Sequence, residues 1–122
     1  MSLEEKLSTY LDEFESNVPD VISTNIVKYD GFGIVNTGKK NFDAKKYSAM
    51  SAGLHGLSNR TMKQIEGGEL VHTYIKGEKT EVIIMSIPSK KLFVSVLTNK
   101  DPNIGLILYQ LEKLVNDLKE VL

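Results

Sequence analysis

The sequence predicts an α+β fold: three layers, α/β/α, around a five-stranded, mainly antiparallel sheet, in the order α-β-β-α-β-β-β-α. Three observations predict it. Asp30-Gly31 stands between two β-branched runs, a hairpin signal because Gly takes positive φ without steric cost. Three more strand-like runs follow over residues 69–98, with links too short for a crossover, so they form an antiparallel meander. The last two are apolar at both alternations (Val82, Ile83, Ile84, Met85, Ile87; then Leu92, Phe93, Val94, Val96, Leu97). Strands of that kind are buried on both faces and require helices on both sides of the sheet.

Residues 2–15 read as a first helix. Ser2 and Glu5 have capping-box spacing, and Leu3, Leu7, Tyr10, Leu11 and Phe14 share one stripe. Pro19 stops any continuation. Residues 21–29 and 32–37 are the hairpin strands. Residues 43–66 form a long middle helix that ends at Gly67-Gly68. It is rich in small residues: Ser48, Ala49, Ser51, Ala52, Gly53 and Gly56. Each Gly in a helix interior costs about 1 kcal/mol against Ala, so their presence points to a close neighbour. The meander strands are expected at 69–76, 81–87 and 92–98, turning at Gly77 and at Pro88-Ser89. Asp101 as N-cap and Pro102 as first helical residue open a last helix, whose buried face runs from Ile104 through Ile107, Leu111, Leu114 and Leu118.

The 122 residues suit one domain, residues 1–122, with one core. The 15 basic and 16 acidic side chains nearly cancel, which gives no general pull toward nucleic acid or an anionic membrane. The absence of Cys removes disulfides, thiolate metal sites and Cys nucleophiles, and points to a reducing cytoplasm. No apolar run approaches the ~20 residues that span a bilayer, and the acidic, amphipathic first residues do not read as a signal peptide.

One motif suggests chemistry. Gly33 through Lys39 (GIVNTGK) matches most of a phosphate-binding loop, but Lys40 stands where Ser or Thr should ligate magnesium. The first Gly also falls in a hairpin strand, so the expected reading is a polar loop. Lys39, Lys40, Lys45 and Lys46 form a basic cluster near a helix start, where their charge opposes the helix dipole. A solvated surface is the default for them, with contact to an acidic partner as the other reading. His55 and His72 have no second ligand at i+3 or i+4, and no nucleophile elbow or paired-carboxylate motif occurs. No catalytic residue, metal or cofactor is expected.

Two surface signals remain. The middle helix has an apolar stripe of Tyr47, Met50, Leu54, Leu57 and Ile65, and a second side of Ala49, Ala52, Gly53 and Gly56, extended by Arg60. Both sides packing into one core is the plainer account; the other is one side for the sheet and one for a partner. The strand at 69–76 has no Pro and alternates Leu70, His72 and Tyr74 with Val71, Thr73 and Ile75. At a sheet edge it is a strand-pairing site.

The order of elements, the YDGFGIV hairpin, the SAMSAGLHGLSN helix and the closing LFVSVLTNKDPNIGLILYQLEKL together resemble the Roadblock family of dynein light chains and small-GTPase regulators. The run from Leu97 through Leu106 and the Ala/Ser-rich helix carry most of the likeness. The resemblance implies a profilin-like fold and a non-enzymatic module of prokaryotic, archaeal type. It implies a homodimer joined through the middle helix and the following strand, here Ala49, Ala52, Gly53, Gly56, Arg60, Leu70, His72 and Tyr74. It also implies a two-helix platform for a small Ras-like GTPase, here Lys45, Lys46, Ser48, His55, Asn59 and Lys63. The partners expected are therefore a second copy and a GTPase, acting as scaffold or regulator, with no nucleic acid and no membrane insertion. Two alternatives are a small-ligand sensor of similar fold and a nucleotide hydrolase using Gly33 through Lys39.

Overall fold

The computed structural model describes residues 1–39 and 42–122. Its elements follow in the expected order: α1 (Leu3–Ser16), β1 (Val21–Lys28), β2 (Gly33–Asn36), α2 (Ala44–Gln64), β3 (His72–Lys76), β4 (Thr80–Ile87), β5 (Leu92–Asn99) and α3 (Ile104–Val121), with a 3-10 turn at Pro88–Lys90. The sheet order is β2-β1-β5-β4-β3 and every neighbouring pair is antiparallel. β3 and β2 are the edges.

Local chemistry accounts for the boundaries. Ser2 Oγ accepts the Glu5 N–H at 3.2 Å and donates to Glu5 Oε1 at 3.0 Å, closing the first turn of α1. Leu7, Leu11 and Phe14 then bury one stripe. The β1–β2 turn places Gly31 at φ 96°, the conformation only Gly adopts cheaply. Several boundaries differ from the sequence reading. β3 starts at His72, three residues after its expected start. α2 ends in a Schellman turn, with the Gly67 N–H on Met62 O at 2.8 Å, and its left-handed residue is Glu66 (φ 55°), ahead of the glycines. α3 starts two residues later than expected. Asp101 is itself left-handed (φ 52°), its N–H bonds Glu81 Oε2, and Asn103 caps the helix through the Leu106 N–H at 3.1 Å.

The two faces of the sheet differ. α1 and α3 cover one, where Leu7, Leu11, Phe14, Ile107, Leu111 and Leu118 meet Ile26, Ile83, Met85, Val94 and Val96 in the main core. α2 covers the other, over a small apolar group of Val27, Ile84 and Phe93.

Candidate interaction surface

The buried residues of α2 are Ser48, Ser51 and His55. Ser51 and His55 each meet a polar group on the sheet. Ser51 Oγ lies 3.0 Å from Ser95 Oγ, and Ser95 Oγ donates to the Tyr47 hydroxyl at 3.1 Å. His55 Nε2 lies 3.1 Å from Ser86 Oγ, which also meets the Tyr29 hydroxyl at 3.2 Å. The imidazole stacks on Phe93 at 4.8 Å between centroids and tilts against Tyr29 at 4.6 Å. Burial pushes the His55 pKa down and the Tyr47 pKa up, as it does for any group that loses water around its charged form.

The opposite face of α2 carries Met50 and Leu57, each 58% exposed, with Ala49, Gly53 and Arg60 also exposed. The apolar stripe drawn from the sequence is thus divided: Tyr47 and Leu54 are half-buried, whereas Met50, Leu57 and Ile65 face outward. Ser48 and His55, expected on a partner platform, are 2% exposed and face the sheet. They leave that surface because helical periodicity puts them on the stripe of Ser51. Asn59 is half-buried, and Lys45, Lys46 and Lys63 are exposed.

The small residues have an identifiable neighbour. A Cβ built on Gly31 would lie 3.6 Å from both Ala49 Cα and Ala52 Cβ, and one on Gly33 would lie 2.9 Å from Ser48 Oγ. Ala49, Ala52 and Ser48 therefore let the hairpin approach α2. Half-buried Gly56 lies on the hairpin side too by helical angle, while Leu57, Ser58 and Thr61 border a depression of about 290 Å³ shared with Leu70, His72 and Thr73. The seam drawn from the sequence is split. Leu57 continues toward β3; Ala52 and Gly56 do not.

Along β3 the alternation decides which groups are free. Ser86 N–H donates to Val71 O and Gly77 N–H to Thr80 O, so the amides of Thr73 and Ile75 turn toward β4 and those of His72, Tyr74 and Lys76 turn outward. Thr73 and Ile75 pair with Ile84 and Val82 on the α2 side of the sheet; His72 and Tyr74 pair with Met85 and Ile83 on the α3 side. Leu70 precedes the strand and is 7% exposed, so it packs within the chain. The Tyr74 hydroxyl donates to Glu81, a carboxylate only 1% exposed, and this bond raises the Tyr74 pKa. Lys76 and Asp101 pair at 2.9 Å in the open, where such a pair contributes little.

Gly33 through Lys39 is not a phosphate loop. Gly33–Asn36 is an edge strand antiparallel to β1, and the next helix, α2, starts only at Ala44 rather than directly after the glycine; Lys40 lies outside the described residues. One open depression, of about 570 Å³, is lined by Tyr29, Met62 and Pro88 together with Lys63, Lys91, Glu66 and Glu69. Among the described residues no cluster of His, Asp or Glu is arranged to hold a metal, and no helix is long and apolar enough to cross a membrane.

The model of the Roadblock/LC7 domain matches residues 9–96, from within α1 to within β5. The chain belongs to the Roadblock/LC7 family. The match stops short of the run from Leu97 through Leu106. Solved Roadblock structures share the fold. A Roadblock/LC7 domain from Streptomyces avermitilis superposes with a TM-score of 0.84 at 17% identity, covering 92% of this chain and 93% of that one. MglB of Myxococcus xanthus gives 0.86 at 18%, covering 95% and 94%. The gliding protein MglB of Thermus thermophilus gives 0.85 at 10%, covering 99% and 91%. At these identities the likeness is one of fold. No curated protein sequence matches the chain. The chain is thus a Roadblock-type interaction module.

Proposed function

We propose that residues 1–122 act as one non-enzymatic Roadblock domain that pairs with a second copy and presents the paired α2 helices to a small Ras-like GTPase. The observation that carries this is one continuous exposed strip. Met50, Gly53 and Leu57 stand on the outer face of α2, and the outward amides of His72, Tyr74 and Lys76 stand on the adjoining β3 edge. Strand pairing across two copies satisfies those amides, and helix contact covers the apolar side chains. In the pair, Arg60, Lys46 and Lys63 flank the helices as the polar part of the platform. No reaction is assigned to the chain itself. Any effect on GTP hydrolysis acts by ordering the GTPase's own switch segments, with Arg60, the only Arg, as the one guanidinium to test. The module works in the cytoplasm, as the Cys-free sequence suggests.

The test is co-purification with a Ras-like GTPase encoded beside this gene, with turnover measured with and without the chain. Binding that is lost in Leu57→Lys while the fold persists supports the reading. GTP hydrolysis by this chain alone, lost in Lys39→Ala, overturns it.

A further inference from the structure

At the end of the sheet away from β3, the β1–β2 hairpin presents an exposed aromatic ring. Phe32 is 67% exposed. Its backbone is fixed: the Phe32 N–H donates to Asp30 Oδ1 at 3.0 Å, and Phe32 O accepts the Lys28 N–H at 2.9 Å. Beside the ring lies a hollow of about 390 Å³ walled by Gly31, Phe32, Gly33, Asn36, Ala44 and Lys45. Lys28 Nζ sits 6.0 Å from the ring centroid, Lys45 lines the hollow, and exposed Lys39 follows β2 by three residues. Among the described residues β2 pairs only with β1, so one of its edges is open.

We propose that this hollow and the open edge of β2 receive an extended acidic segment of a partner protein, with one apolar side chain beside Phe32 and carboxylates on Lys28, Lys39 and Lys45. Three features select that occupant. Lys45 sits in the first turn of a helix with no acidic residue there, where it works against the helix dipole and gains only when an anion arrives. The local acids are already engaged, Asp30 with the Phe32 N–H and Asp43 with the Lys46 N–H at 3.0 Å. The helix end does not suit a phosphate, because Asp43 takes the Lys46 and Tyr47 N–H groups and the hollow beside it is walled largely by carbon. An open strand edge, an apolar seat and fixed positive charge match a strand in which apolar and acidic residues alternate. The site is separate from β3 and stands or falls independently of the GTPase reading.

The test uses the full chain and a fluorescein-labelled octapeptide of alternating Glu and Leu, followed by fluorescence anisotropy. Saturable binding is expected, weakened about fivefold or more by Phe32→Ser and by Lys45→Glu and weakened as salt rises from about 50 to 300 mM. Leu57→Lys, on the other surface, leaves it unchanged. Both hairpin-side residues are exposed, so the variants should keep wild-type melting curves. Should Phe32→Ser unfold, Lys45→Glu decides. No saturable binding, equal binding by a folded Lys45→Glu chain, or displacement of the peptide by oligothymidylate at equal charge concentration overturns the proposal.

Discussion

His72→Pro separates the two uses of β3. The His72 amide points away from β4, and its imidazole is exposed with no hydrogen bond among those described. Proline removes only that N–H and suits an edge strand. The chain alone should therefore lose less than about 1 kcal/mol of stability, as at other exposed positions. In a two-fold pair the substitution occurs twice. Each copy loses one N–H···O bond, about 1 kcal/mol, and leaves a carbonyl in the new interface without a donor, about 1 kcal/mol more. A total of about 4 kcal/mol corresponds to a roughly 1000-fold weaker dissociation constant. Tyr74→Pro removes the equivalent outward donor but also strips the hydroxyl from buried Glu81, so it should destabilise the chain as well. Sedimentation equilibrium gives the dissociation constant and urea unfolding gives the stability. An unchanged dissociation constant in a fully folded His72→Pro chain refutes the pairing. A collapse of stability refutes the assignment of the amide.

Gly53→Ala should stabilise the isolated chain by about 0.8–1 kcal/mol, because nothing lies within 4 Å of the added Cβ; urea melts at low concentration check this. If Gly53 is the close-contact point of two α2 helices, the same variant dimerises more weakly in sizing experiments. His55→Phe should alter the pH dependence of stability. Burial holds the His55 pKa below 6.5, so as pH falls the unfolded chain takes up protons before the folded one. The stabilisation is whole above about pH 6.5 and is lost as pH falls from there through the folded pKa, at about 1.4 kcal/mol per unit of depression. Wild type should lose stability faster than His55→Phe between about pH 7 and 5 in paired denaturation curves.

The architecture was legible because its signals are local or periodic. Asp30-Gly31, Pro19 and the double-sided apolar strands act within a few residues. Boundaries governed by tertiary bonds were not. The α3 cap moved to Asn103 because Glu81, 20 residues upstream, holds the Asp101 amide. The surface was legible only in part, since the apolar stripe of α2 suggested its own burial. What decides its orientation is the matching polarity of the sheet. Ser23, Asn25, Ser86 and Ser95 alternate onto the α2 side, opposite Ser48, Ser51 and His55. Each strand shows this alternation in sequence, but only register brings Asn25 beside Ser95. The small residues suggested a partner, and one such neighbour proved to be the chain's own hairpin.

The polar underside of α2 also bears on how firmly the helix is held. A buried hydrogen bond between neutral groups contributes about 1 kcal/mol net, whereas a fully buried Leu contributes about 2–3 kcal/mol. Ser51–Ser95, Tyr47–Ser95 and His55–Ser86 together therefore equal one or two leucines, against five buried apolar residues on α3. Asn25, on the α2 side of the sheet, has both side-chain polar atoms buried with no partner among the described residues, which subtracts from the balance. The apolar weight of the helix, Met50 and Leu57, stands outside. Covering that outer face should steady α2 more than any other element. Amide exchange tests this: on dilution below the dimer dissociation constant, protection of α2 should fall sharply while that of α3 holds. Equal protection of the two helices in the dilute chain would mean that the polar layer grips α2 as strongly as an apolar core, and the outer face would then have no part in holding it.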